Sequence, residues 1–372
     1  MNQTEKPPII TEPSASLRRT VMQDLRRGDL SISLRQDLRQ IYGFYLDDEQ
    51  RARLAAMGRI RRAVWVVIWV LKGLLMKLSP PRRVVLLATL VMWFFGTLTF
   101  NLGQTDLTVD LRRWAFPILL IVLMMELKEK VVARDEIEVA RQMQIALLPR
   151  EHPEPSGWAV WSYMRPANDV GADFVDYLDL GPRRFGVALG DVAGKGLGAA
   201  LLTAKLQATL RALVPDCASL GTLGEKLNAI LNRDGLDNRF ATLFYFEIEP
   251  GSGRVRYLNA GHNPPYLVRA RAIEALAASS LPLGMMPDAR GAEGGLVLEP
   301  GDLLVVYSDG LTEARSVADE EFGDSRLRAL LPSLRGLPPD RAGARILEEV
   351  NAFLGSERPH DDLSLIVALR RP

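Results

Sequence analysis

The chain has 372 residues, 46 Lys and Arg against 45 Asp and Glu, a net charge of +1 and 48% hydrophobic residues. That length suits one sizeable catalytic domain plus accessory segments, and the balanced charge gives no bulk reason to expect a nucleic-acid partner. The single cysteine, Cys217, excludes an intrachain disulfide, and His152, His262 and His360 form no cluster at zinc spacing, whereas the plentiful carboxylates suit hard cations such as Mg²⁺ or Mn²⁺.

Residues 1–14 read as a polar tail containing proline, without the apolar core of a cleaved secretory signal. The whole of 1–62 is expected to be an Arg-rich, partly disordered or helical cytoplasmic region, in which Asp47 and Gln50 have capping-box spacing. Next comes an apolar segment over 63–83, carrying Trp65, Trp69 and Lys72. A charge in mid-span costs about 2.5–3.5 kcal/mol, so this segment is read as interfacial, anchored by its tryptophans.

Over 84–127 the pattern predicts a transmembrane helical hairpin. Its first arm, 84–102, is uncharged and close to the roughly 20 residues that cross a bilayer core. Its second arm, 111–127, is shorter and contains Trp114 and Pro117. Arg82, Arg83, Lys128 and Lys130 flank the hairpin and place both of its ends in the cytoplasm, while Arg112 and Arg113 must snorkel to the outer headgroups. Membrane lipid is therefore an expected partner.

The segment 128–149 is rich in helix formers and stops at Pro149. Ala133, Ile137, Ala140 and Leu147 share a 3/4 spacing that Gln144 interrupts. This predicts a linker helix that either forms a short coiled coil, and hence a homodimer, or docks on the next domain.

From 150 to 372 the pattern is that of a mixed α/β domain. Strands are expected at 184–190, 240–248, 255–260, 302–307 and 363–369, the second and third joined by a hairpin turn at 250–253. A helix with one apolar face is expected at 196–214, and further helices at 324–334 and 340–354.

Four acidic motifs punctuate this domain: Gly171-Ala172-Asp173-Phe174-Val175-Asp176, Gly190-Asp191-Val192-Ala193-Gly194-Lys195-Gly196, Tyr307-Ser308-Asp309-Gly310 and His360-Asp361-Asp362. Each falls at a strand edge or tight turn. A phosphoester dianion repels nucleophiles, and two metal ions about 3.5–4 Å apart both neutralise it and activate a water. Asp191 suits the bridging position, because it follows an apolar strand and is flanked by glycines that allow close backbone approach; the Val192 carbonyl is a candidate further ligand. Gly194-Lys195-Gly196 is not a nucleotide loop, since the spacing is one residue short and Gly196 stands where a hydroxyl residue is needed. Arg165 and Lys195 are candidate substrate binders by charge, and His262, in a loop ahead of two prolines, reads as a structural hydrogen-bonder.

Taken together, these motifs resemble the bacterial SpoIIE/RsbU-type branch of the PPM (PP2C-like) serine/threonine phosphatases. The resemblance extends through Phe240-Ala241-Thr242, Asn259-Ala260-Gly261-His262-Asn263-Pro264-Pro265, Leu281-Pro282-Leu283-Gly284-Met285, Tyr307-Ser308-Asp309-Gly310-Leu311-Thr312-Glu313-Ala314 and the preceding helix that ends Ala146-Leu147-Leu148-Pro149. It implies an α-β-β-α sandwich of two antiparallel sheets with two Mn²⁺ or Mg²⁺ ions between them. Asp191 would bridge the ions, Asp309 and Asp362 would hold the first, and Asp173 would serve the second through water, with Asp176 as its nearby substitute. Ala172 and Ser308 depart from the usual Gly and Thr without removing a ligand.

The resemblance further implies hydrolysis of phosphoserine or phosphothreonine without a phosphoenzyme. The expected substrate is a phosphorylated anti-sigma-factor antagonist of the STAS type, and the site of action the bacterial inner membrane, with the protein multi-pass and the phosphatase domain cytoplasmic. The rival reading is an inactive membrane-bound scaffold that binds a phosphoprotein; retention of all four acidic motifs argues against it.

Overall fold

A computed structural model describes residues 53–54, 57–101, 106–149, 151–234, 239–357 and 359–371. The tail, the Asp47 cap and most of the Arg-rich region lie outside the described residues. The chain divides into two compact units, 1–129 and 130–372.

In the first unit, α1 (Arg59–Lys77) is followed by α2 (Pro80–Phe95), a hairpin of β1 (Thr97–Asn101) and β2 (Asp106–Asp110), and the start of α3 (Arg112–Leu147). The expected helix over 84–102 therefore ends seven residues early. Gly96 takes φ +72 and donates its amide to the Met92 carbonyl, a left-handed step that stops a helix. The β-branched and aromatic run beyond it then pairs as a strand. At 16 residues α2 is about 24 Å long. Arg82 ties α2 to α3 through Glu126 (2.8 Å) and Glu129 (2.6 Å), and at the far end of α2 the Arg112 Nε donates to the Trp93 carbonyl.

The second unit is a four-layer α-β-β-α sandwich. One sheet has the order β10 (Glu293–Val297), β7 (Arg254–Ala260), β6 (Ala241–Ile248), β5 (Phe185–Val192), β4 (Asp173–Asp179). The other runs β3 (Trp158–Arg165), β12 (Leu363–Arg370), β11 (Leu303–Tyr307), β8 (Tyr266–Val268), β9 (Ile273–Ala275), and all pairings in both sheets are antiparallel.

Alternation along each strand sorts the core into three layers. Val187, Leu189, Phe244 and Phe246 meet Leu304, Val306, Ile366 and Ala368 between the sheets. Phe174, Ala188, Leu243 and Tyr245 pack outward with α4 (Leu197–Leu213) and α5 (Leu220–Asp234). Val305, Leu365 and Val367 pack outward with helices α7 (Gly323–Leu330) and α8 (Pro339–Leu354); α6 (Asp309–Thr312) is a single turn after β11.

The last turn of α3 docks onto this unit. Gln144 clamps Gly171 by accepting from its amide (3.0 Å) and donating to its carbonyl (2.7 Å), while the Leu147 carbonyl accepts from Gln207 and Arg211. The residue that interrupts the apolar spacing is thus the docking residue.

Among the described residues, the one helical stretch long and apolar enough by itself to cross a membrane is 197–216, and that stretch is the core helix α4 with its following turn.

Candidate metal centre

Asp173 and Asp191 are direct partners across the β4–β5 ladder. Both share strand parity with Val175 and Leu189, which belong to the layer between the sheets. Gly190 permits this pairing, because a Cβ there would lie 2.3 Å from the Phe174 ring. β11 and β12 are neighbours in the second sheet, so Asp309, two residues beyond the end of β11, comes near Asp361 and Asp362, which precede β12. Gly310 is obligatory at this corner, since a Cβ would stand 2.1 Å from the Asp362 carbonyl.

The two adjacent aspartates at the start of β12 have different tasks. Asp362 is 4% exposed and turned inward, its carboxylate accepting from the amides of Ala167 (2.7 Å), Ala172 and Asp173 (3.3 Å). Asp361 is half-buried, accepts from the Asp362 amide at 2.9 Å and pairs with Lys195 Nζ at 2.9 Å. Its charge, after that of Asp309, acts on Asp191, and it also acts on Asp309 itself. Asp362, expected as a ligand, braces the loop that leads into Asp173 while its charge acts on Asp173 and Asp191, and Asp361 beside it acts on Asp191 and Asp309.

The electrostatics have the signature of carboxylates awaiting a counter-charge. Burial, then the Asp191 and Asp362 charges, push Asp173 well above the usual carboxylate range. Burial and the charges of Asp309 and Asp361 raise Asp191 to about 7, and burial with Glu313 and Asp361 raises Asp309 to about 6. Such a cluster is costly unless a cation or a proton relieves it. Asp173 Oδ2 is buried without a hydrogen-bond partner, an all-oxygen donor fit for Mg²⁺ or Mn²⁺. Among the described residues no group of three or more Asp, Glu, His or Cys side chains stands in an arrangement that could hold a metal ion. Val192 ends β5 with its side chain buried on the helix side and its amide donating to the Ala172 carbonyl at 3.2 Å.

Lys195 is brought to the cluster: its Nζ binds the His360 carbonyl (2.6 Å) and the Asp361 carboxylate. Arg165 is not. It lies on the face of β3 that packs against α8, where Nη1 donates to Asn351 at 3.1 Å and Nε and Nη2 have no partner. Asp176 cannot substitute for Asp173, because it points to the helix side and forms a two-pronged pair with Arg211 of α4 (2.6 and 2.8 Å). His262 is 3% exposed, with Nδ1 at 2.9 Å from Thr242 Oγ1, and burial pushes it down to about 4, so it is neutral and shut away from solvent.

The residue that sequence reading passed over is Asp361. Two consecutive aspartates before a strand point opposite ways, but which of them braces the loop before Asp173 depends on the register of β12 against β3 and β11. One residue not singled out, Arg239, lies against the Asp191 loop: its Nη1 is 3.4 Å from the Ala193 carbonyl, and a Cβ on Gly194 would come within 2.7 Å of it.

The family model for stage II sporulation protein E (SpoIIE) matches residues 181–371. IcfG of Synechocystis is 30% identical over 267 residues, which cover 64% of this chain and 42% of IcfG. The phosphoserine phosphatase RsbU of Bacillus subtilis is 27% identical over 246 residues, 64% of this chain and 71% of RsbU. The chain thus spans less than half the length of IcfG.

Among solved structures, the RsbU and RsbW domains of Rv1364c from Mycobacterium tuberculosis superpose with a TM-score of 0.50 at 25% identity, covering 59% of this chain and 61% of that one. The SiaA-PP2C domain of Pseudomonas aeruginosa shares the fold, with a TM-score of 0.54 at 19% identity over 66% of this chain and 99% of that domain. With the sandwich and the matched half of its length in agreement, the chain belongs to the SpoIIE family and carries its PP2C-like domain.

Proposed function

We propose that the chain hydrolyses phosphoserine or phosphothreonine in a partner protein, and that Asp173, Asp191, Asp309 and Asp361 with the Val192 carbonyl would hold two Mn²⁺ or Mg²⁺ ions. The observation that carries this reading is the cross-strand pair Asp173/Asp191, the first buried and the second half-buried, both raised in pKa by burial and then by neighbouring carboxylates. When bound, such ions neutralise phosphoryl oxygens and lower the pKa of the attacking water. Asp362 holds the Ala167–Asp173 loop in place by accepting its amides, and Lys195 fixes the corner that presents Asp361.

The relatives RsbU and RsbP are named phosphoserine phosphatases. The resemblance therefore supports a phosphorylated STAS-type antagonist of an anti-sigma factor as the substrate. The exposed apolar side chains of α2 and the start of α3, among them Val91, Trp93, Phe94, Trp114 and Phe116, support attachment of the first unit to the cytoplasmic membrane. The exposed Val132, Val139 and Met143 on α3 support a homodimer through that helix.

The deciding experiment is hydrolysis of p-nitrophenyl phosphate by the purified chain with and without Mn²⁺, beside Asp191→Asn. Mn²⁺-dependent turnover that the variant loses, by at least about a hundredfold since ligands matter more than the outer partners worth 10–100-fold, supports the reading. Turnover that ignores Mn²⁺ or survives in the variant sinks it.

A further inference from the structure

His262 is buried in a loop that is itself immobilised. Gly261 before it adopts φ +66 and packs so closely on Pro282 that a Cβ would be 2.4 Å from its ring. The His262 amide donates to Asn259 Oδ1 at 2.8 Å. The imidazole is thereby aimed at two places. Nδ1 meets Thr242 Oγ1 at 2.9 Å, and Thr242 is the β6 residue paired with Asp191 in the ladder. Directly opposed residues hold their Cβ atoms about 5 Å apart on one face of the sheet. Nε2 is buried without a partner in hydrogen-bond geometry, and the Tyr307 main chain is the polar group acting on the ring; Tyr307 ends β11, two residues before Asp309.

We propose that His262 is a positioning residue for the metal centre: through Thr242 it steadies the neighbour of Asp191 on one sheet, and through its other nitrogen it faces the strand end that presents Asp309 on the other. One neutral imidazole thus sets the spacing between carboxylates contributed by two sheets. Nδ1 is taken up by Thr242, Nε2 is buried without a hydrogen-bond partner, and neither reaches solvent, which separates this role from proton transfer to a leaving group.

The inference rests on the metal-dependent reading above, and its test separates the two. Mn²⁺ binding is measured by calorimetry, and folding by melting, on the full chain and on His262→Asn, His262→Gln, Thr242→Val and Thr242→Ser. Asn can place a polar atom where Nδ1 stands and Gln where Nε2 stands, while Ser keeps the hydroxyl and Val removes it at constant shape. Outer partners of metal ligands are worth about 10–100-fold in affinity. His262→Gln and Thr242→Val are therefore expected to weaken Mn²⁺ binding about tenfold, whereas His262→Asn and Thr242→Ser stay within roughly threefold of wild type. If His262→Gln does not fold, Thr242→Val, which leaves the ring in place, decides alone. Unchanged Mn²⁺ affinity in Thr242→Val overturns the inference and leaves His262 a packing residue, and failure of the wild-type chain to bind Mn²⁺ overturns both the inference and the phosphatase reading beneath it.

Discussion

α2 and α4 are apolar helices of nearly equal length, 16 and 17 residues. α4 buries Ala199, Ala200, Leu202, Leu206 and Leu210 against a sheet, whereas α2 buries Thr89 and leaves Val84, Leu90, Val91, Trp93, Phe94 and Phe95 exposed. The polar groups of the two units divide the other way. The second unit buries Asp173, Asp176, Glu247 and Asp362, each stabilised by amides or arginines or set aside for chemistry, as Glu247 is by Arg184 and Arg256. Apolarity alone therefore identifies neither a core nor a membrane segment. What separates them is whether a partner surface exists in the fold, and an exposed apolar surface of this breadth implies a partner outside it.

The largest expected effect tests the first unit. Single-tryptophan variants retaining Trp93 or Trp114 should shift their emission to the blue on mixing with anionic vesicles and be quenched by brominated lipid. Unshifted, unquenched emission would mean that another protein, and not lipid, covers α2.

Next comes the division of labour between the paired acids in the second unit. Asp361→Asn should cost at least about a hundredfold in Mn²⁺-dependent turnover with an unchanged melting temperature. Asp362→Asn should lower stability by about 2–3 kcal/mol, because the inward carboxylate accepts several buried amides, as read by urea unfolding. The reverse pattern would restore Asp362 as the ligand and make Asp361 a surface acid.

The last effect is a pH dependence, small near neutral pH and growing only as the medium is made acid. His262 is lowered from 6.5 to about 4 by burial, so between those values the unfolded chain takes up a proton that the folded chain refuses. Its contribution to stability is intact above pH 6.5 and declines as the pH falls toward 4, by up to about 3 kcal/mol. The metal-free aspartates, raised in pKa, work in the opposite direction, so the comparison is with His262→Gln. Wild type should lose stability relative to that variant across the window, and parallel curves would show that His262 carries its proton in the folded state.

Much of this architecture was legible in the residues because it is local. Gly190, Asp191, the apolar runs over 184–190 and 302–307 and the amphipathic 196–214 segment announce strand, turn and helix through spacing that depends on near neighbours. The acidic motifs are likewise local, each at a strand end or turn. The helix expected to run to 102 stopped at Phe95 because the left-handed step at Gly96 and the pairing with 106–110 outweighed continuous apolarity.

The sequence by itself determined a mixed α/β domain with its strands and helices in order, and its resemblance to a known family implied two antiparallel sheets with helices outside. Only the tertiary structure decided that Asp362 braces the loop before Asp173 while Asp361 pairs with Lys195, that Asp176 turns away to Arg211, that Arg165 belongs to the α8 side, and that Gln144 docks the linker helix. The physical reason is the two-residue period of a strand. A side chain's face is fixed by register against neighbours far away in the chain, and a one-residue difference in that register exchanges the bracing carboxylate for the one that pairs with Lys195.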